Sequence, residues 1–146
     1  MNIGSSEVTL NDLKDTKIFA EKLAEKYQEN VVVALCRTLG TGKTTFAKFF
    51  IEALHGEQTN FQGSPTFTLV QEYHCSNRPT IYHFDWYRIK NATELKMIGW
   101  EEYYQNGAIC LVEWADLFPS LLPQNTIYLN FEMQDGKRGV KLSVES

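Results

Sequence analysis

The apolar run Val31-Val32-Val33-Ala34-Leu35-Cys36 leads within a few residues into Leu39-Gly40-Thr41-Gly42-Lys43-Thr44-Thr45, and then into a helical pattern that ends at His55. This order constrains the fold more than any other feature. A continuous, β-branched apolar run reads as a strand covered on both faces, hence the centre of a sheet. The glycines let the chain turn sharply, and the following pattern, with Phe46, Phe49, Phe50, Ala53 and Leu54 as its apolar stripe, opens a helix that Gly56 closes. A strand, a glycine-rich turn and a helix opened by Lys-Thr form a phosphate-binding loop. Backbone N–H groups converge there on phosphate oxygens, and the helix N-terminus adds partial positive charge. In this reading Lys43 reaches the β- and γ-phosphates and the Thr44 hydroxyl ligates Mg²⁺. The strict spacing wants a glycine where the chain has Arg37. Arg37 could cap the site from outside or weaken nucleotide binding.

The rest of the chain supplies a sheet for this loop. Asn11 and Asp12 follow a short polar lead and precede Leu13, Thr16, Ala20, Leu23, Ala24 and Tyr27, which recur at helical spacing. Residues 68–73 and 80–84 read as strands of an antiparallel hairpin, with Asn77-Arg78-Pro79 in the turn. A polar helical stretch with Glu94, Leu95 and Ile98, and Trp100 near its end, comes next. Residues 108–112 form a second buried strand, 117–122 a short helix or turn stopped by Pro123, and 126–131 with 139–144 a closing hairpin. The expected fold is α/β, a three-layer phosphate-loop NTPase-like arrangement with a mixed sheet and helices on both faces. The length of 146 residues fits one domain, residues 1–146.

Two apolar strands end in carboxylates, Asp85 and Glu113. At the C-terminal edge of such a sheet a carboxylate faces the ligand crevice. There it can hold Mg²⁺, hold a metal-bound water or orient an attacking water. The loop Gly63-Ser64-Pro65-Thr66-Phe67-Thr68 reads as a switch segment whose Thr66 senses the γ-phosphate or its metal. His83 reads as a structural strand histidine, with a proton-carrying role beside Asp85 as the alternative. Trp86 and Tyr87 read as packing residues, and Arg88 as a partner of Asp85 or Glu94 or as part of an interaction surface.

Composition narrows the classes. A net charge of −4 argues against independent nucleic-acid binding. Cys36, Cys75 and Cys110 show no C-x-x-C spacing, and the two in apolar runs read as buried packing residues in a reducing, cytoplasmic setting. The first residues lack the pattern of a signal peptide, and no run is long enough to cross a membrane. No Asn-Lys-x-Asp segment is present to read guanine.

Taken together, Leu39-Gly40-Thr41-Gly42-Lys43-Thr44-Thr45-Phe46, Ser64-Pro65-Thr66-Phe67-Thr68-Leu69-Val70, His83-Phe84-Asp85-Trp86-Tyr87-Arg88, Glu94-Leu95 with Gly99, and Leu111-Val112-Glu113-Trp114 resemble the TsaE (YjeE) family. These are bacterial ATPases of tRNA threonylcarbamoyladenosine synthesis. The resemblance runs over nearly the whole chain. It implies ATP/ADP and Mg²⁺ as cofactors, slow partner-dependent ATP hydrolysis, a cytoplasmic location, and the proteins TsaB and TsaD as partners. It also implies that tRNA, modified at adenosine 37, is met only through that assembly. Carried over by position, it assigns nucleotide contacts to Leu39, Gly40, Thr41, Gly42, Lys43, Thr44, Thr45, Thr66, Trp114 and Arg138, and the metal to Thr44 and Glu113. Catalytic roles fall on Lys43, Asp85 and Glu113. Where the family carries Gly and an acid, this chain has Arg37-Thr38. Two other readings stand beside it: a small metabolite kinase, and a binding module whose hydrolysis Arg37 has impaired.

Overall fold

The computed structural model describes residues 2–36 and 42–145. Along the chain run β1 (Asn2–Leu10), α1 (Leu13–Lys26), β2 (Val31–Cys36), α2 (Lys43–His55), β3 (Val70–Tyr73), β4 (Ile81–Asp85), α3 (Ala92–Met97), α4 (Trp100–Tyr104), β5 (Ile109–Glu113), β6 (Ile127–Gln134) and β7 (Lys137–Glu145). Two 3₁₀ turns, Ala115–Leu117 and Pro119–Leu121, follow β5. The seven strands form one sheet in the order β1-β7-β6-β2-β5-β4-β3. Its centre is parallel and its flanks antiparallel.

Alternation along β2 builds a layer on each face. Val31, Val33 and Leu35 pack with α1 and α2 through Phe19, Leu23, Phe46, Phe50 and Ile51. Val32, Ala34 and Cys36 face Phe84, Trp86, Leu95 and Trp100 on the other side. Helices therefore cover both faces, and every residue of β2 and β5 is buried. Cys36 and Cys110 are buried among these residues, and burial pushes the Cys110 thiol up to about 12.

Register sets the site. Leu35 pairs with Glu113, and Glu113 with Asp85, so the ends of three parallel strands form one row. His83, Asp85 and Glu113 fall on the α2 face, because side chains two apart on a strand share a face.

Four expectations need correction. The polar lead before α1 is β1, a strand paired only with β7. In its last four residues Val8 and Leu10 turn inward while Glu7 and Thr9 stay exposed, an alternation too short to stand out from the sequence. On α1, Leu13 is exposed and Phe19 is buried in its place. On α2, Ile51 and His55 are buried, whereas Phe49 is half-buried and Ala53 exposed. The single helical stretch around Trp100 is two helices, because Gly99 takes φ +79° between them and Trp100 begins the second. At α1 the expected cap holds: Asp12 Oδ1 accepts from Asp15 N at 2.9 Å, and Asp15 Oδ2 accepts from Asn11 N at 2.9 Å.

Candidate nucleotide-binding site

The site is built where β2 hands over to α2. Arg37 through Thr41 lie outside the described residues, and with them the expected contacts of Leu39, Gly40 and Thr41. The turn closes at Gly42, whose φ of +110° is a conformation a side chain would strain. Its carbonyl accepts from Phe46 N at 2.8 Å, starting the helix.

Lys43 is the first residue of α2 and is only 4% exposed. Among the described residues its Nζ has no hydrogen-bond partner; it lies 4.0 Å from the centroid of the Trp114 ring. Burial lowers its pKa below the usual lysine value, although Glu113, Asp85 and Asp116 pull the other way. An ammonium held this way, with a π-face as its neighbour, lacks the acceptor that burial demands. A phosphate oxygen would supply it. The Trp114 backbone is uncommon, φ +59° in a residue that is not glycine, and Tyr87 packs against its ring at 4.9 Å between centroids.

Beside Lys43, the hydroxyl of Thr44 meets that of Ser64 at 2.9 Å. Ser64 Oγ donates to Glu113 Oε2 at 2.7 Å, so Thr44 donates to Ser64. His83 Nε2 lies 2.6 Å from the same Oε2. Burial raises the Glu113 pKa, but the His83 hydrogen bond and attraction, the Ser64 hydroxyl and the Lys43 charge outweigh it, so the carboxyl is held below its usual range. One register step across, Asp85 is bound differently. Its Oδ2 accepts from Thr66 Oγ1 at 3.0 Å and its Oδ1 from Tyr87 N at 2.9 Å.

Arg138 closes the other side. A Cβ built on Gly42 would lie 3.4 Å from Arg138 Cδ and 3.7 Å from its Nη1. Its Nε is buried without a hydrogen-bond partner among the described residues. Next to it is a cavity of about 400 Å³ lined by Leu10, Asp12, Leu13, Met133, Lys137 and Arg138. A larger cavity, about 630 Å³, lies beside the first residue of β5, at the opposite end of the sheet; Glu21, Glu25, Glu29, His55 and Arg78 are among the residues that line it.

Gly42, Lys43, Thr44, Asp85, Glu113, Thr66 and Trp114 thus meet at one edge, with Arg138 against Gly42; Thr45, half-buried, follows on α2. Two members were not anticipated. His83 is bonded to Glu113, not placed to serve Asp85, and Ser64 rather than Thr66 is the hydroxyl that touches both Thr44 and Glu113. Strand parity could have paired His83 with either acid, whereas nothing in the sequence singles out Ser64 within its loop. Trp86 packs edge-on against Trp100 as expected, but Tyr87 is 59% exposed. The Arg88 guanidinium lies 4.4 Å over the exposed Phe67 ring, not on Asp85 or Glu94.

The chain is similar in sequence and fold to known proteins. Residues 10–140 match the family model described as threonylcarbamoyl adenosine biosynthesis protein TsaE. A tRNA threonylcarbamoyladenosine biosynthesis protein TsaE of Rickettsia felis is 42% identical over 86% of this chain and 72% of its own length. The protein of that name from Haemophilus influenzae is 36% identical over 92% of this chain and 84% of its own. A crystal structure of Bacillus subtilis YdiB superposes with a TM-score of 0.80 and 29% identity, covering 100% of this chain and 88% of that one. The sheet with its layers of helices is the phosphate-loop fold. With a family match over most of its length and a strand-end site to go with it, the chain belongs to the TsaE family of tRNA threonylcarbamoyladenosine biosynthesis.

Proposed function

We propose that this protein binds ATP at the Lys43 edge and hydrolyses it slowly. In this reading it acts in the cytoplasm as a nucleotide-dependent switch on the TsaB–TsaD complex that modifies tRNA at adenosine 37. The observation that carries it is the buried Lys43 ammonium, without a hydrogen-bond acceptor among the described residues, at the N-terminus of α2 and beside two strand-end carboxylates. Lys43 exchanges its contact with Trp114 for β- and γ-phosphate oxygens. The ribose and base lie toward Arg138 and the adjoining cavity.

Thr44 and Glu113 supply hard oxygen donors of the kind Mg²⁺ takes, and the Ser64 hydroxyl now joins the two. Thr44 and Glu113 are the residues that would hold the ion beside the phosphates. Bound Mg²⁺ neutralises charge on the phosphates. Ser64 would have to give up its bridge for Thr44 and Glu113 to hold a cation, which would loosen the loop that carries it and Thr66. Asp85 holds the attacking water and takes its proton, with Thr66 and the Tyr87 N–H fixing its orientation. The tie between Thr66 and Asp85 links phosphate chemistry to the Phe67 and Arg88 surface, the part of the loop a partner can read.

Lys43→Ala tests the reading. The variant is expected to lose ATP turnover and the tryptophan fluorescence change on adding ATP or ADP, while its far-UV circular dichroism matches the parent. Turnover equal to the parent's would sink the assignment. Adding TsaB and TsaD should raise the parent's turnover and leave the variant inactive.

A further inference from the structure

His83 is a polar ring in an apolar place. It is fully buried on the face of β4 between Ile81 and Asp85, beside Leu111 in the register, with Phe61 stacked near it at 6.1 Å and 21°. Its Nδ1 is buried with no hydrogen-bond partner among the described residues. A leucine would fill the same space without that orphan. Among the described residues its side chain makes one polar contact, Nε2 to Glu113 Oε2 at 2.6 Å. Because an ionised carboxylate only accepts, the proton of this bond sits on Nε2. Ser64 donates to the same oxygen at 2.7 Å. Both side-chain hydrogen bonds therefore load Oε2.

We propose that His83 is a positioning residue: it pins Oε2 of Glu113, so that Oε1 is the oxygen left to take a divalent cation bound with the nucleotide. The inference rests on the nucleotide reading above. Without the pin, the carboxylate of Glu113 can turn about its last torsion and present either oxygen. Outer partners of metal-binding carboxylates act in this way, orienting the donor without touching the metal. Ser64 cannot do it alone, because its loop must release Oε2 when the cation arrives, whereas the ring of His83 is fixed by its strand and by Phe61.

The test uses the whole chain with Mn²⁺ as the cation and ADP as the nucleotide. Mn²⁺ uptake is read from loss of the free-ion electron paramagnetic resonance signal at saturating ADP; metal-free ADP affinity is read by calorimetry. His83→Leu removes the donor, and His83→Gln keeps an N–H at a similar reach. The Leu variant should bind Mn²⁺ about 10- to 100-fold more weakly, and the Gln variant within about 3-fold of the parent. Metal-free ADP affinity should stay within about 2-fold in both, which a merely structural role would not spare. If the Leu variant fails to fold, His83→Asn, too short to reach Oε2, takes its place. Parent-like Mn²⁺ binding by the donor-free variant, or failure of Gln to restore it, overturns the proposal while the nucleotide reading stands. A parent chain that takes up neither ADP nor Mn²⁺ with ADP overturns both.

Discussion

Asp85 and Glu113 occupy one register row, on the same face, and both are almost wholly buried. Their partners divide them. Both accept from a hydroxyl of the loop before β3, but Glu113 has in addition a fixed strand partner, His83 on β4. Asp85 is tied to Thr66 in the loop before β3 and to the backbone just after β4. One carboxylate is held by a buried strand histidine as well as by the loop, and the other by that loop, whose Phe67 is 83% exposed, and the backbone after β4. The difference assigns unequal tasks to equivalent positions. A fixed acid suits holding a cation, and an acid bound to a movable loop suits coupling hydrolysis to a change of shape.

The sharpest way to break this comparison is to neutralise each acid in turn. Glu113→Gln should abolish the metal dependence of ADP binding and lower turnover by about 100-fold or more. Asp85→Asn should lower turnover by about 100- to 10,000-fold, the range for removing a general base, while metal-dependent ADP binding stays near the parent's. Calorimetry with and without Mg²⁺, beside steady-state turnover, separates the two. Equal metal dependence in both variants would make the acids interchangeable and end the comparison.

A smaller effect should distinguish the two hydroxyls. Ser64→Ala removes a bond to a buried, ionised carboxylate, and Thr66→Ala removes one to Asp85 at the loop. Each should cost about 1.5–3 kcal/mol in urea unfolding, the range for a hydrogen bond to a charged group. Only Ser64→Ala should change how tightly the cation is held, because Thr66 does not touch Glu113. A change in metal affinity with Thr66→Ala and none with Ser64→Ala would reverse the roles of the two residues.

Those two hydroxyls also mark where the sequence stops being readable. The strand before Gly42, the helix after it and the acids at Asp85 and Glu113 follow from local periodicity, because burial of a strand or a helix stripe leaves its mark within a few neighbours. β1 does not, since its ladder partner β7 lies at the far end of the chain and an edge strand needs little apolar alternation. The break at Gly99 is a backbone event, φ +79°, hidden inside a continuous helical pattern. His83 and Glu113 belong to different strands, and their bond depends on strand register, which the sequence does not display. Ser64 depends on a loop path set by tertiary contacts. Arg88 has acids within easy sequence reach and stacks on Phe67 instead, because the loop brings that ring under it.

The smallest expected effect is in the pH dependence of stability, and it isolates the anchored acid. In the folded chain the Glu113 carboxyl is held below its ordinary value of 4.5; burial opposes this, and His83, Ser64 and Lys43 prevail. In the unfolded chain those partners are gone and the ordinary value returns. Folding therefore favours the ionised form, and its contribution is fully present above the ordinary carboxylate range. It is lost as pH falls below about 4.5 toward the folded value, where the native carboxylate also takes up a proton. Glutamine at 113 has no proton to gain in this window. The stability that the parent gains between pH 3 and pH 6, read from urea midpoints, should thus exceed the gain of Glu113→Gln, with the two curves parallel above about pH 6. Curves parallel over the whole range would mean that His83 and Ser64 give Glu113 no preference for its charged form. The anchored acid would then differ from Asp85 in its partners alone, not in how firmly its charge is held.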